Sequence, residues 1–264
     1  KSRSRGLGDV YKRQAFNSKE VKKGYIFFAF KGNNTDGNFF IKEAIKKGSE
    51  IIITDKFKIN GWKNNVLFLN DKNPRNLLAK FSSKIFKKKP NNLIGVTGTN
   101  GKSSIANFYF QILTLNRIKA ASIGTLGVNG LKVQKNFSNT TFDTIQINKI
   151  LKKLKERRIE NVILEASSHG LNQNRLDGLE FDIGIFTNLT RDHLDYHKTF
   201  KNYYNSKLIL FKKLLKKKSY AIYDNDLKIS SNLNKITRLN KIKKLTLGNT
   251  KSSFSIIDLS LIHI

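Results

Sequence analysis

The sequence predicts an α/β protein, with a small N-terminal α/β domain followed by a larger domain built on a mostly parallel sheet. The chain has 264 residues, 39% of them hydrophobic, which is enough for one large or two ordinary domains with packed cores. Short apolar runs alternate with segments of helical periodicity, the pattern typical of a parallel sheet covered by helices on both faces. A glycine-rich turn also joins one apolar run directly to a helical segment.

The N-terminal domain is predicted at residues 15–89, after a polar, basic tail at residues 1–14 that shows no periodicity. Its apolar and β-branched runs predict strands at Tyr25–Phe30, Glu50–Thr54 and Val66–Leu69. Helical spacing predicts helices at Phe39–Lys47 and from Pro74 onward. Proline suits the first turn of a helix, where its missing N–H would have no partner.

The second domain is predicted at residues 90–264, and we expect it to be incomplete at its C-terminal end. Its predicted strands are Leu93–Thr97, Ala120–Ile123, Asn161–Glu165, Asp182–Thr187, Tyr220–Tyr223 and Lys244–Leu247. Its predicted helices are Lys102–Leu115, Thr144–Arg157 and Phe200–Leu215. Ligands of such sheets bind at the carboxyl ends of the strands, so the residues that follow the strands are the candidates for function.

The glycine-rich turn lies at Gly95–Ser104, between an apolar run and a helix. Glycines let backbone N–H groups approach phosphate oxygens, and a helix N-terminus favours their negative charge. Lys102 would reach the β- and γ-phosphates, and the Ser103 hydroxyl would hold Mg²⁺. Gly98 precedes Gly101 by three positions, which is not the usual spacing, so an ordinary glycine turn is the alternative. The context predicts a nucleoside triphosphate site.

The net charge of +31 suggests nucleic-acid binding, but no recognition motif accompanies it. Lysine greatly outnumbers arginine and is spread along the whole chain, which indicates solvated faces rather than one basic patch. Lys87–Lys89 and Lys216–Lys218 fall at predicted helix ends, where cations suit the helix dipole. A non-catalytic protein that binds nucleotides or nucleic acid stays open as an alternative.

The composition excludes several kinds of site. The chain has no Cys, so disulfides, thiolate metal sites and Cys nucleophiles are excluded, which fits a cytoplasmic protein. No apolar run approaches the ~18 residues that would span a bilayer.

Three further residues, two of them at or near strand ends and one in a helix, are candidates for a catalytic or metal-binding role. Glu165 ends an apolar strand and could coordinate Mg²⁺ or position water, the alternative being a surface carboxylate. His193 lies in the polar loop after the next strand and could contact a metal or phosphate, or have no ligand role. Lys207 lies between aromatic and aliphatic residues in a helix, where a snorkelling lysine is the simplest interpretation.

Together these motifs resemble those of the Mur ligases. The turn at Thr97–Ser103 is similar to that family's phosphate loop. Asn139–Thr141, Glu165–Leu171 and Thr187–His197 resemble the branch that adds the third peptide residue of the peptidoglycan precursor. Around Asn17–Lys19 the first region is similar to the family's uridine-binding domain. The resemblance covers about Phe16 to Leu247.

The resemblance implies an ATP-dependent amide ligase that uses Mg²⁺. ATP would phosphorylate the D-glutamate carboxylate of UDP-N-acetylmuramoyl-L-alanyl-D-glutamate, and the amine of a diamino acid, meso-diaminopimelate or L-lysine, would attack the acyl phosphate. The enzyme is expected to act as a monomer without nucleic-acid or membrane partners. The runner-up is another Mur-type or a folylpolyglutamate-type ligase.

The resemblance also implies a role for particular residues. ATP would be bound by Gly98, Thr99, Asn100, Gly101, Lys102, Ser103 and Ser104. The catalytic residues would be Lys102, Glu165, His193 and Lys207, the last as a carbamate. Mg²⁺ would be held by Ser103, Glu165, His193 and Lys207. The nucleotide-peptide would be bound by Phe16, Ser18, Asn33, Asn34, Thr35, Asn139, Thr140, Thr141, Ser167, Gln173 and Arg175.

The chain departs from the family's pattern in several places. The family usually has Asp-Ser-Arg where this chain has Asn17-Ser18-Lys19, and Pro where Phe142 stands. Ser103 replaces a threonine but keeps its hydroxyl. We expect the family's third, Rossmann-like domain, which carries the amino-acid site, to be missing from this chain, and the chain alone to lack ligase activity.

Overall fold

The computed structural model describes residues 14–32, 35–56, 60–131, 140–248 and 252–255. The proposed tail and three predicted substrate contacts, Asn33, Asn34 and Asn139, lie outside these residues, apart from Gln14 of the tail. The chain divides into two compact units, Lys1–Ile85 and Phe86–Ile264. No helix in the described part is both long and apolar enough to cross a membrane.

The described part of the first unit is a five-stranded sheet with two α-helices. Its strands are β1 Gln14–Ala15, β2 Tyr25–Ala29, β3 Ser49–Thr54, β4 Gly61–Lys63 and β5 Val66–Asn70, and its helices are α1 Ile41–Lys46 and α2 Pro74–Ile85. Short 3-10 turns lie at Ser18–Glu20 and Gly37–Phe40. The order β1-β2-β3-β5-β4 is parallel except for the β4–β5 pair. Apolar side chains of β2, β3 and α1, such as Phe27, Ile52 and Ala44, form the core.

The second unit is built on an eight-stranded sheet in the order β13-β12-β11-β10-β6-β9-β7-β8. Its strands are β6 Asn92–Thr97, β7 Ala120–Gly124, β8 Gly127–Asn129, β9 Asn161–Glu165, β10 Phe181–Phe186, β11 Leu215–Asp224, β12 Lys243–Gly248 and β13 Phe254–Ser255. All pairs are parallel except β7–β8. This confirms the predicted α/β class with parallel sheets.

Six α-helices flank this sheet in the described part of the second unit. They are α3 Lys102–Leu115, α4 Thr144–Glu156, α5 Ser168–Asn172, α6 Leu194–His197, α7 Phe200–Ile209 and α8 Ser230–Leu239. Buried faces of α4 and α7 pack with the apolar residues of β9 and β10 in one large core. The short helices α5 and α6 and the polar helix α8 were not predicted, because few apolar residues mark them.

The predicted helix Phe200–Leu215 is wrong at its end. It becomes a π-helical turn at Leu210–Leu214, and Leu215 already begins β11. Lys216–Lys218 therefore lie in a strand and not at a helix end, as the charge pattern suggested. The strand is favoured because it pairs with β10 and because Lys216 Nζ reaches Asp182 at 2.6 Å.

The sheet order places the candidate residues together. β6 lies between β9 and β10, and all three run in the same direction. Their carboxyl ends therefore bring the phosphate-loop candidate, Glu165 and the segment after Phe186 to one edge of the sheet.

Candidate active site

The glycine-rich turn joins β6 to α3 as the sequence predicts. Gly98 has φ +149°, and Gly101, just before α3, has φ +82°, which are conformations that side chains disfavour. A Cβ at Gly98 would collide with the Thr187 hydroxyl and lie 3.1 Å from the Asn188 nitrogen. The loop is thus pressed against the segment that follows β10, and the first N–H groups of α3, which have no partner within the helix, follow the loop directly.

Hydrogen bonds of the Thr99 side chain anchor the glycine-rich loop to two neighbouring segments. Its hydroxyl accepts a hydrogen bond from the Thr190 N–H at 3.0 Å and lies 3.0 Å from the Tyr203 hydroxyl and 3.2 Å from the Thr190 carbonyl. Thr99 is 8% exposed and Tyr203 fully buried, so the bond between their hydroxyls is shielded from water, whereas the bonds to Thr190 are part-buried. The contacts connect the loop to α7 and to the segment after β10.

Replacing Thr99 by Val should destabilise the protein by about 2 kcal/mol, because the buried Tyr203 hydroxyl and the part-buried Thr190 N–H both lose a partner. Tyr203→Phe should cost only about 1 kcal/mol, since Thr99 keeps its bonds to Thr190. Urea denaturation of both variants measures the difference. If both variants lose the same free energy of unfolding, the hydrogen bonds between Thr99 and Thr190 contribute nothing to stability.

Two lysines approach the loop carbonyls. Lys102 Nζ donates to the Gly98 and Thr99 carbonyls at 3.0 and 2.7 Å, and burial lowers the pKa of this amine. Lys207 is 1% exposed, and its Nζ donates to the Gly98 carbonyl at 2.5 Å and lies 4.4 Å from the centre of the Tyr203 ring. Burial, and next the charge of Lys102, lower the Lys207 pKa to about 7. Lys207 is therefore buried at the site and does not snorkel to solvent.

Glu165 is a buried carboxylate beside the loop and not a surface residue. It is 2% exposed, and its Oε2 accepts from the Ser103 hydroxyl at 2.9 Å. Its Oε1 accepts from the Thr125 N–H at 3.0 Å, and the Thr125 hydroxyl lies 3.2 Å from Oε2. The sequence did not single out Thr125, which follows β7 and holds both oxygens of Glu165.

The predicted Mg²⁺ ligands are only partly brought together. Ser103 and Glu165 are in contact and offer hard oxygen donors, which suit Mg²⁺. Lys207 as an amine donates to a carbonyl, and His193 Nε2 lies 3.5 Å from Asp192 Oδ2. Within the described residues, no three His, Asp or Glu side chains form a group that could hold a metal ion.

A second group of predicted residues forms a polar wall after β9. The Thr141 hydroxyl lies 2.8 Å from the Glu165 carbonyl and 2.9 Å from Ser167 Oγ, which also caps α5 by accepting from the Gly170 N–H. Arg175 donates to the Thr141 carbonyl and, through Nε and a terminal nitrogen, to Gln173 Oε1 at 3.1 and 2.8 Å. Gln173 thus orients the guanidinium.

One cavity of about 280 Å³ joins these groups. Among the described residues it is lined by Lys102, Thr140, Thr141, Ser167, Ser168, His169, Arg175, His193 and Lys207. Seven of these nine are predicted site residues, and Ser168 and His169 are additions. The lining does not include Ser103, Glu165 or Gln173. Gln173 contacts Arg175 of the lining, and Ser103 contacts Glu165, which in turn contacts Thr125.

Aromatic side chains close one side of the cavity. The His169 ring lies 4.8 Å from His193, 4.2 Å from Tyr196 and 5.4 Å from His197 between ring centres. His197 is 4% exposed, and burial lowers its pKa to about 4, so its imidazole is neutral. Its Nε2 has no hydrogen-bond partner in the described part of the chain. The four-residue spacing of His193, the residue before α6, and His197, its last residue, could have indicated this cluster.

The predicted uridine contacts lie in the first unit. Phe16 stacks on Phe30 with ring centres 6.2 Å apart, and the Arg75 guanidinium lies 4.8 Å over Phe30. Ser18 is buried, and its hydroxyl donates to Glu43 at 2.9 Å, so that hydroxyl serves the fold. Thr35 is exposed, and its carbonyl accepts from the Gly32 N–H.

Residues 96–261 match the Mur ligase middle domain, and residues 15–85 match the Mur ligase family catalytic domain. The chain belongs to the Mur ligase family. It is 41% identical over 238 residues to the UDP-N-acetylmuramoyl-L-alanyl-D-glutamate–2,6-diaminopimelate ligase of Rickettsia montanensis. The matched segment covers 89% of this chain and 49% of that protein. The chain thus spans about half the length of this relative.

Solved structures of Mur ligases share this fold. A UDP-N-acetylmuramoyl-L-alanyl-D-glutamate–2,6-diaminopimelate ligase superposes with a TM-score of 0.81 at 28% identity, covering 93% of this chain and 50% of that one. The MurF ligase from Thermotoga maritima, solved in complex with ADP, gives 0.56 at 20% identity, covering 92% and 52%. The second likeness concerns the fold alone.

Proposed function

We propose that this Mur ligase chain is the nucleotide-binding part of an ATP-dependent ligase that joins a diamino acid to UDP-N-acetylmuramoyl-L-alanyl-D-glutamate in the cytoplasm. The observation that carries the proposal is the cavity that Lys102 of the glycine loop lines together with Thr140, Thr141 and Arg175. A triphosphate on the loop and an anionic acceptor on the polar wall would then meet within one enclosed space. That the enzyme acts as a monomer, without nucleic acid or membrane, stays a prediction.

The loop residues would bind the triphosphate. Backbone N–H groups at the start of α3 and the Lys102 ammonium would neutralise the phosphates. Lys102 now lies on the carbonyls of Gly98 and Thr99, within reach of a ligand seated in the loop. Phosphoryl transfer needs positioning and charge stabilisation more than a covalent nucleophile, and this group of residues offers both.

Mg²⁺, when bound, would neutralise the phosphate charge that develops in transfer. Ser103 and Glu165 would hold it, since their oxygens are already adjacent. Lys207 could join them only after its amine has become a carbamate, which replaces a cation by an anion. Its lowered pKa, about 7, supports this step, because the neutral amine is the form that takes up CO₂.

The acceptor would be held by the polar wall. The Arg175 guanidinium, oriented by Gln173, suits a carboxylate or phosphate group. Thr140, Thr141 and Ser167 supply hydroxyls along the same wall. The names of the relatives favour meso-diaminopimelate over L-lysine as the incoming amino acid.

Calorimetry with this chain tests the binding half of the proposal. We expect UDP-N-acetylmuramoyl-L-alanyl-D-glutamate to bind and Arg175→Ala to weaken that binding at least about tenfold, since the guanidinium is the cation of the wall. Arg157→Ala, which removes an exposed arginine just after α4, is the matched control. A folded sample that binds neither this nucleotide nor ADP would overturn the proposal.

The alternatives make different predictions. A folylpolyglutamate-type ligase would not bind the UDP-sugar peptide but would bind a folate. A nucleic-acid-binding protein would bind DNA with an affinity that falls steeply with salt, and without saturable binding of the UDP-sugar. Titrations with a folate and with a DNA duplex, run beside those with the UDP-sugar peptide, distinguish the proposed function from these two alternatives.

A further inference from the structure

Thr125 lies between Glu165 and Thr140, which belong to the two proposed ligand sites. Its hydroxyl is 3.2 Å from Glu165 Oε2 and 3.1 Å from the Thr140 hydroxyl. Glu165 belongs to the metal side of the site and Thr140 to the acceptor side, where it lines the cavity. Thr125 is thus a residue through which hydrogen bonding can pass from the Glu165 carboxylate to Thr140.

The number of hydrogens limits what this trio can do. Thr125 has one hydroxyl hydrogen and two acceptors, so it can donate to only one of them at a time. When it donates to Glu165, Thr140 can donate to Thr125. When Thr140 instead donates to an anionic oxygen in the cavity, its own oxygen becomes free to accept from Thr125. The Thr125 hydrogen then leaves Glu165 Oε2.

Glu165 stays in place during this exchange. The Thr125 N–H holds Oε1 at 3.0 Å, and the carboxylate is 2% exposed. Losing one hydroxyl donor therefore frees a lone pair on Oε2 without releasing the side chain. A free carboxylate lone pair beside Ser103 is what a divalent cation requires.

We propose that Thr125 is a positioning residue that couples the two ligands: an anionic group bound at Thr140 turns the Thr125 hydroxyl away from Glu165 and so strengthens cation binding there. This inference rests on the proposed function and deepens it. By linkage, the bound cation strengthens binding of the nucleotide-peptide by the same factor. The coupling amounts to one hydrogen bond, or about fivefold in affinity.

The test measures Mn²⁺ affinity by electron paramagnetic resonance, in the presence of ADP, with and without saturating UDP-N-acetylmuramoyl-L-alanyl-D-glutamate. The chain and its Thr125→Ser variant should bind Mn²⁺ about fivefold more tightly with the nucleotide-peptide present. Thr125→Val, which keeps the N–H and the shape, should show a ratio near one. Thr140→Val should also lose the ratio, while Thr114→Val, which removes a remote hydroxyl from α3, should keep it.

A Thr125→Val variant that keeps the ratio of the unmodified chain would overturn the inference, as would a ratio of one in the unmodified chain with both ligands bound. Absence of any binding of Mn²⁺, ADP and nucleotide-peptide would instead remove the proposed function itself. Thermal unfolding of each variant, matched to the unmodified chain, shows that the ratios are compared between folded proteins.

Discussion

Lys207→Met should make the protein more stable and the ligase inactive. The ordinary pKa of a lysine is 10.5, and burial lowers that of Lys207 to about 7 in the folded state. Between these values the unfolded chain binds more protons than the folded one, so this group's contribution to stability rises with pH from about 7 to 10.5. Below about pH 7 the full destabilisation is present, up to about 5 kcal/mol.

Methionine fills a similar volume without a charge and removes that destabilisation. In CO₂-free buffer, urea denaturation should show Lys207→Met to be more stable than the unmodified chain at pH 6, and the difference should shrink by pH 9. The exposed Lys201 lies in the same helix, and Lys201→Met should show neither effect. A Lys207→Met variant that is less stable at pH 6 would contradict the buried cation.

The same substitution should lower the activity of the ligase, although it raises the stability of the protein. In a protein that carries the whole ligase, Lys207→Met should lower turnover at least about 100-fold, the scale of losing one charge-stabilising group. Added short carboxylic acids should restore part of the activity of Lys207→Ala if they replace the carbamate. A lysine retained despite its destabilising effect is typical of a functional site.

Gly98→Ala should weaken nucleotide binding at least about tenfold, whereas Gly101→Ala should weaken it far less. At Gly98 a Cβ meets the Thr187 side chain and the Asn188 backbone, and φ is +149°. Strain of this kind is worth about 1–3 kcal/mol before the collision is added, so ADP should bind at least about tenfold more weakly.

Gly101 is the matched control because it lies in the same loop and also has a positive φ, +82°. Among the described residues, apart from its chain neighbours, no atom lies within 4 Å of a Cβ placed there. Gly101→Ala therefore adds only backbone strain, about 1 kcal/mol. Calorimetry with ADP and urea denaturation measure both variants. Equal losses would show that the packing of the loop on β10 does not shape the phosphate site.

The difference between these glycines shows what spacing alone could not resolve. The irregular interval between Gly98 and Gly101 left an ordinary turn open as an interpretation of the sequence. In the structure each glycine has its own reason: one permits close approach to β10, and the other begins α3. The distinction depends on Thr187 and Asn188, which are some ninety residues away in the chain.

The sequence by itself determined the α/β class, most strands to within one or two residues, and the phosphate-loop candidate. These follow from local periodicity and from turn residues whose preferences do not depend on distant partners. It also singled out Glu165 and His193 through their places after strands. The local residues favoured a solvated Lys207, because a window of helix does not show what covers it, and only the resemblance to the Mur ligases implied a catalytic role.

Only the tertiary structure decided how these residues act on one another. Burial beside Lys102 and Tyr203 turns an ordinary lysine into an amine with a pKa of about 7. The neighbouring ends of β6, β7 and β9 bring Ser103, Glu165 and Thr125 into contact. Such effects depend on desolvation and on distances between segments far apart in the chain, which the order of residues does not contain.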